Sequence, residues 1–162
     1  MFYRLLAHPE YIEPLRQEVE SVVAKEGWTK AGMDQMHKID SFVRETQRID
    51  GILISPSNSF SLSVANLLML PITRPCKVGL FRFALRPFTF SNGVTVPAGT
   101  ILGLPVHSVH MDEELYPNAQ EFDGFRFLKL RKTERGVVLE TRHQLVTTSA
   151  ELLGFGLGRH AW

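Results

Sequence analysis

The chain has 162 residues, of which 44% are hydrophobic and 22% charged, and its formal net charge is +1 at pH 7. This length and composition suit one globular domain, and the near-neutral charge gives no reason to expect a nucleic-acid or acidic-membrane partner. The single cysteine, Cys76, excludes an internal disulfide and a multi-cysteine zinc site. The N-terminus turns polar too soon for a signal peptide, and no apolar run approaches the ~20 residues of a membrane span.

Two helices are predicted in the first third of the chain. The first begins near His8 and ends near Gly27, and its apolar positions recur at helical spacing: Leu15, Val19, Val22 and Val23. The second is predicted from about Met33 to Arg48. Its buried stripe is expected to consist of Met36, Ile39, Phe42 and Val43.

From about Leu80 the apolar period changes to two, which is typical of strands. Asn92-Gly93 separates two alternating segments and predicts a hairpin with a type I′ turn, because both residues tolerate positive φ. Residues 100–106 form a third apolar run, which indicates a buried strand.

Residues 107–116 are predicted to form a short surface helix, and the chain from there to Leu153 to be mostly loop, with one possible strand at Val137–Leu139. His107 and His110 are three residues apart, a spacing that could place two imidazoles on one metal. No carboxylate or third histidine is placed to complete such a site, so an ordinary surface helix is expected.

Three motifs follow one another along the chain. Glu45 and Arg48 place a carboxylate and a guanidinium three residues apart on one helix face. Residues 121–127 read EFDGFRF and put Arg126 between aromatic residues, and residues 155–162 read FGLGRHAW. The first motif alone is typical of an exposed ion pair. The order of all three is what carries information.

In this order the motifs resemble the cytochrome P-450 family, which has a Glu-x-x-Arg helix, a small sheet, a Phe-x-x-x-Arg-Phe segment and a Phe-x-x-Gly-x-x-x-Cys loop. The resemblance covers Leu5 to Gly51 and Leu80 to Ala161, and within it the sequences of residues 92–100 and 158–161 are most similar to those of fungal members. It implies a mainly α protein with a small β-sheet (α+β). It also implies that residues 1–162 are a single incomplete C-terminal region of the cytochrome P-450 fold, with an atypical insert at about 51–78.

The resemblance also implies the site residues. A buried salt-bridge triad is expected to fix the loop beneath a heme, with a structural role rather than a chemical one: Glu45, Arg48 and Arg126. The heme loop and the partners of the heme propionates are expected to include Arg82, Phe155, Gly158 and His160.

The position of the family's cysteine ligand holds Trp162. The indole N–H is a donor only and has no lone pair for a metal. Without a thiolate, a heme iron lacks the electron density that favours O–O cleavage. The sequence therefore predicts no metal ligand and no catalytic residue in this chain. Cys76 lies far along the chain from the loop and is not expected to replace the ligand.

Two further departures concern the extent of the chain. From the resemblance, we expect the family's membrane anchor and the helix over the distal heme face to be missing from these 162 residues, and residues 51–78 do not resemble the family. Our hypothesis for residues 51–78 is an intron translated in frame, and for Trp162 a cysteine codon read through into an intron. A spliced transcript that still encodes Trp at position 162 would contradict the second hypothesis.

The leading expectation is a fragment of a heme-dependent monooxygenase, an oxidoreductase that incorporates molecular oxygen, inactive as this chain. The resemblance implies heme as cofactor, a reductase that supplies electrons and a small organic substrate of unknown structure. Family members are usually anchored to the endoplasmic reticulum membrane, but the sequence leaves the localisation of this chain open. One alternative is a non-catalytic interaction module, which monomeric solubility and cooperative unfolding would favour. Another is a heme-binding protein without oxygenase activity, favoured by a Soret band that His160→Ala abolishes.

Overall fold

A computed structural model describes residues 1–51, 79–131, 144, 145, 147, 149–154, 156 and 157. Its helices are α1 (Phe2–Ala7), a 3₁₀ turn (Pro9–Tyr11), α2 (Ile12–Glu26), α3 (Lys30–Asp34), α4 (His37–Asp50), α5 (Val106–His110) and α6 (Arg126–Arg131). Its strands are β1 (Gly79–Phe83), β2 (Phe88–Thr89), β3 (Thr95–Val96) and β4 (Ile101–Leu104). The strands form two antiparallel pairs, β1 with β4 and β2 with β3. The predicted mainly α fold with a small amount of β structure is confirmed. Within the described ranges no helix is long and apolar enough to cross a membrane.

The first predicted helix is confirmed as α2, preceded by the 3₁₀ turn. Gly27 follows α2 with φ 66°, a conformation that glycine adopts without steric cost, and its N–H donates to the Val23 carbonyl at 2.9 Å. The predicted apolar positions are all half-buried: Leu15, Val19, Val22 and Val23.

The single helix predicted from Met33 to Arg48 is wrong, because the chain forms α3 and α4 with a break between them. Met36 leaves the helical conformation, with φ −81° and ψ 68°. The carboxylate of Glu18 in α2 accepts the backbone N–H groups of Lys38 and Ile39 at 2.8 and 3.0 Å. A distant side chain thus satisfies amides that a new helix N-terminus leaves without partners.

The buried surface of α4 is wider and more polar than the predicted apolar stripe. Met36 and Phe42 are buried, and Ile39 and Val43 are half-buried. The described part of the chain also buries polar and charged side chains of α4: Ser41, Arg44, Glu45, Thr46 and Arg48. Charged side chains are rarely buried unless they are paired, so the polar face of α4 marks the region of interest.

The predicted hairpin is confirmed by the pairing of β2 with β3, but the predicted turn type is wrong. Gly93 has φ 86°, whereas Asn92 is not among the described residues with positive φ. Gly93 N–H donates to the Phe90 carbonyl at 2.9 Å, and Val94 N–H donates to Asn92 Oδ1 at 3.1 Å. This pattern fits a type I turn followed by a left-handed glycine, because the Asn92 side chain stabilises an Asx turn.

The third predicted strand is confirmed as β4, but its predicted burial is wrong. Ile101 and Leu102 are half-buried, and Leu104 is 45% exposed. The only described partner of β4 is β1, whose Phe83 is 64% exposed. A two-stranded sheet leaves much of each strand open, and this explains the exposure.

The helix predicted over residues 107–116 is shorter, because α5 ends at His110. Asp112 Oδ1 accepts the Glu114 N–H at 2.9 Å, and the Asp112 carbonyl accepts the Tyr116 N–H at 2.8 Å. The bond to the Asp112 side chain competes with helix continuation and favours a turn.

A helix was not predicted at α6, which lies in the segment expected to be loop. Ser41 Oγ of α4 accepts the Leu128 N–H at 3.0 Å and donates to the Gly124 carbonyl at 3.0 Å. The beginning of α6 is therefore fixed by a contact across more than 80 residues. The strand predicted at Val137–Leu139 lies outside the described residues.

Candidate functional site

The three members of the expected triad are in contact. Arg48 donates to both oxygens of Glu45, from Nε to Oε2 and from Nη2 to Oε1, each at 2.8 Å. Arg126 Nε donates to Glu45 Oε1 at 3.1 Å. The side chains of Glu45 and Arg48 have no exposed surface, and that of Arg126 is 10% exposed. One buried carboxylate therefore holds two guanidinium groups in fixed orientation.

The triad contains two positive charges and one negative charge, and backbone carbonyls supply the remaining acceptors. Arg48 Nη1 donates to the His110 carbonyl at 2.5 Å. Arg126 donates to the carbonyls of Pro117, Asn118 and Glu121 at 2.6, 3.1 and 3.0 Å. The guanidinium group of Arg126 thereby fixes the turns over residues 117–121, which lie between α5 and α6.

A third buried arginine, Arg44, lies one residue before the triad carboxylate in α4. Its guanidinium carbon lies 4.8 Å from the centre of the Phe127 ring, and Nη1 donates to the carbonyls of Gln144 and Thr147. Burial lowers the pKa of Arg44 to about 10, the direction expected for a cation removed from water. Arg44 remains protonated at neutral pH and holds the residues that precede the predicted heme loop.

Asp40, one turn earlier on α4, acts on the same part of the chain. Its carboxylate accepts the Leu145 N–H at 2.9 Å and forms an ion pair with Arg131 of α6. The side chain of Arg131 is 1% exposed. Asp40 thus joins α4 and α6 to the segment that begins near residue 144.

Residues 151–154, which we call the leader segment, lie directly before the predicted heme loop and contact residues that adjoin the triad. Tyr116 donates its hydroxyl hydrogen to the Glu151 carbonyl at 3.0 Å, and the guanidinium carbon of Arg48 lies 5.0 Å from the centre of the Tyr116 ring. Burial raises the pKa of Tyr116 to about 12. Leu152 joins a buried cluster with Tyr116, Ala119 and Phe127.

His110 does not lie on a surface helix, so that prediction is wrong. The residue is 1% exposed, and both ring nitrogens face backbone partners: Nδ1 lies 3.0 Å from the Arg48 carbonyl, and Nε2 accepts the Leu153 N–H at 3.0 Å. His107 is half-buried. In the part of the chain that the structure describes, no three or more His, Cys, Asp or Glu residues form a group that could hold a metal ion.

The remaining predicted site residues are not brought together by the described structure. Arg82 is exposed, and its Nη1 donates to the carbonyl of the neighbouring Phe81 at 3.0 Å. Outside the described residues lie the loop positions Phe155, Gly158, His160 and Trp162, and also Cys76.

Sequence reasoning missed Asp40, Arg44, Tyr116 and the buried role of His110. One signal for Arg44 was present in the sequence. Ser41, Arg44, Glu45 and Arg48 follow the i, i+3, i+4, i+7 spacing of one helix face. A polar stripe of this kind indicates either an exposed face or a buried polar network, and only the tertiary contacts decide between the two.

The mainly α fold and the buried triad agree with the class that the sequence resembles, the heme-thiolate proteins. The family model described as cytochrome P-450 matches residues 1–56 and 72–161. The chain therefore belongs to the cytochrome P-450 family.

Its curated relatives include several fungal proteins. The chain is 39% identical over 159 residues to cytochrome P-450 monooxygenase 151 of Postia placenta, covering 98% of this chain and 27% of that protein. It is 38% identical over 158 residues to cytochrome P-450 monooxygenase atmQ of Aspergillus flavus, covering 96% of this chain and 25% of that protein. It is also 39% identical over 159 residues to cytochrome P-450 monooxygenase janQ of Penicillium janthinellum, covering 98% of this chain and 26% of that protein. The chain thus spans about a quarter of the length of these relatives.

Proposed function

We propose that this chain forms the scaffold of the heme loop of a fungal cytochrome P-450 monooxygenase and that, with Trp162 at the ligand position, it does not activate oxygen. The scaffold role is supported by the Glu45 carboxylate, which is buried and accepts hydrogen bonds from both Arg48 and Arg126. The inability to activate oxygen is inferred from the chemistry of the Trp162 indole, which cannot ligate iron. Heme, a reductase and a small organic substrate are proposed from the names of the relatives, which are monooxygenases.

The described contacts explain how such a scaffold would work. Asp40 holds Leu145, Arg44 holds Gln144 and Thr147, and Tyr116 and His110 hold the leader segment. These four groups lie on or against the helix that carries the triad. A loop whose approach is fixed at several points loses less conformational entropy when it binds a ligand, because most of the ordering has already occurred on folding.

The residues of this chain do not fit a heme-thiolate centre. A bound heme supplies the redox chemistry of the family, and the protein supplies the axial ligand and the surroundings that tune it. The position of the ligand carries a donor-only side chain, and His160 is a nitrogen ligand rather than a thiolate. We therefore assign no reaction step to this chain.

We also propose that residues 51–78 are an insert relative to the family. The family match leaves out residues 57–71, which lie inside that range, and this supports the proposal. Sequencing the transcript across this range tests it, since a spliced message without the corresponding codons would show that the segment is a translated intron.

The experiment is to restore the ligand. Trp162→Cys, mixed with heme, reduced and exposed to carbon monoxide, is expected to give the red-shifted Soret band of a thiolate complex, whereas Trp162→Ser is not. Adding Glu45→Gln to Trp162→Cys should remove that band if the triad holds the loop. A folded Trp162→Cys protein without the thiolate band would contradict the scaffold.

Two other outcomes would redirect the proposal. A Soret band in the unaltered chain that His160→Ala abolishes would indicate a heme-binding protein with a histidine ligand. A soluble, cooperatively unfolding monomer that takes up no heme, either unaltered or as Trp162→Cys, would indicate a non-catalytic interaction module.

A further inference from the structure

His110 lies between the C-terminal half of α4 and the leader segment, and it is bonded to both. Its ring Nδ1 lies 3.0 Å from the Arg48 carbonyl, and its Nε2 lies 3.0 Å from the backbone nitrogen of Leu153. The residue is 1% exposed, and Leu153 is 6% exposed. Both hydrogen bonds are therefore shielded from water.

The partners of the ring determine where its proton resides. A backbone carbonyl only accepts hydrogen bonds, so Nδ1 must carry the hydrogen that is donated to Arg48. A backbone N–H only donates, so Nε2 must present a lone pair to Leu153. The environment thus selects the neutral Nδ1–H tautomer, and the opposite tautomer would break both bonds.

The contact with Arg48 is reciprocal. Arg48 Nη1 donates to the His110 carbonyl at 2.5 Å, while the His110 ring donates to the Arg48 carbonyl. Arg48 is itself held by both oxygens of Glu45. One continuous chain of hydrogen bonds therefore runs from the triad carboxylate through Arg48 and His110 to the backbone of Leu153.

We propose that His110 is a positioning residue that transmits the fixed geometry of the triad to the leader segment and so sets where the predicted heme loop begins. This inference rests on the proposed function, because it is the scaffold role that gives the leader segment its importance. Among the described contacts, His110 reaches the leader segment through the Leu153 backbone.

The first test uses the unaltered chain and needs no heme. Nitrogen-15 NMR of the imidazole ring should show Nδ1 protonated and Nε2 unprotonated at neutral pH, a signature that a merely space-filling histidine would not require. A predominant Nε2–H tautomer, or rapid exchange between both tautomers, would overturn the proposal. This result is independent of whether the chain binds heme, so it separates the failure of this inference from the failure of the proposed function.

The second test uses two variants, each of which keeps one of the two hydrogen bonds of the His110 ring. The amide of His110→Asn can reach the Arg48 carbonyl but not Leu153, whereas the amide oxygen of His110→Gln can reach Leu153. We expect the Leu153 amide hydrogen to exchange about tenfold faster in His110→Asn than in His110→Gln, because only the first variant loses its acceptor. The Leu152 amide, which donates to Ser149 Oγ at 3.0 Å, is the internal control. Equal exchange of Leu153 in both variants would contradict the role.

A third comparison links the residue to the loop. In the Trp162→Cys background, His110→Asn should weaken heme uptake more than His110→Gln does. Equal uptake by the two variants would show that His110 does not position the loop.

Discussion

Glu45 accepts hydrogen bonds from Arg48, from Arg126 and from the Asp123 N–H at 3.2 Å, with no exposed side-chain surface. Removing one partner of a buried ion pair leaves uncompensated charge and costs about 3–5 kcal/mol. Glu45→Gln should therefore lower the free energy of unfolding by about this amount, as measured by denaturant unfolding. Glu13→Gln is the control, because its ion pair with Arg16 is exposed and contributes at most about 1 kcal/mol. A loss below about 1 kcal/mol for Glu45→Gln would contradict a buried triad.

Tyr116 provides a second test at the residue scale. Burial raises its pKa from 10.0 to about 12. Between pH 10 and 12 the unfolded state loses the phenol proton while the folded state keeps it, so stability falls as pH rises. Arg44, with a pKa lowered to about 10, contributes the opposite slope in the same range.

The comparison of the unaltered chain with Tyr116→Phe reports the buried phenol together with its charge coupling to Arg44, which is present in both proteins. We expect the unaltered chain to lose stability more steeply above pH 10 than Tyr116→Phe does, as measured by denaturant unfolding at several pH values. Parallel pH profiles would show that the phenol is not buried in the folded state.

At the scale of elements, the contact between α4 and the beginning of α6 depends on a glycine. A Cβ on Gly124 would lie 2.7 Å from Phe42 Cδ2 and 2.9 Å from Tyr11 Cε1, and the Gly124 N–H donates to the Tyr11 hydroxyl at 3.1 Å. The rings of Tyr11 and Phe42 pack on each other, with their centroids 5.5 Å apart. Because these packed rings cannot yield easily, Gly124→Ala should cost about 1–3 kcal/mol of stability.

Gly154→Ala is the matched control for that substitution. Its Cβ would lie 2.4 Å from Gln47 Cδ, but this atom belongs to the mobile end of a long side chain that can shift. Thermal unfolding should show a smaller loss for Gly154→Ala than for Gly124→Ala. The reverse order would mean that the surroundings of Gly154 are packed more rigidly than the Tyr11 and Phe42 rings at Gly124.

The sequence predicts those elements that depend on neighbouring residues. The helix that ends at Gly27 and the hairpin at Asn92-Gly93 follow from local spacing and turn chemistry. The break before α4 depends on Glu18, and the beginning of α6 depends on Ser41; both contacts come from distant parts of the chain and leave no local pattern. The burial of His110 has the same origin.

In the candidate site, too, features set by local sequence are predicted and features set by distant contacts are not. The Glu-x-x-Arg spacing predicts a pair on one helix face, and the family resemblance adds Arg126. Neither indicates that Arg44 and Asp40 of the same helix also hold the approach to the loop, because this depends on where Gln144, Leu145 and Thr147 lie.

At the scale of the whole molecule, the chain belongs to the cytochrome P-450 family and covers about a quarter of the length of its relatives, from 25% to 27% for the three proteins named above. The described part holds the triad, the leader segment and two small sheets. The ligand position carries Trp162 in this sequence. Membership of the family therefore does not imply that this chain carries out the family's chemistry. The residue at the axial-ligand position determines whether it can.

The decisive measurement is the carbon monoxide spectrum of the unaltered chain after it has been mixed with heme and reduced. We predict that no thiolate-type Soret band forms, because Trp162 cannot ligate iron and Cys76 is the only cysteine. A thiolate band in the unaltered chain that Cys76→Ser abolishes would contradict the account, because it would show that this protein takes its ligand from another part of the sequence.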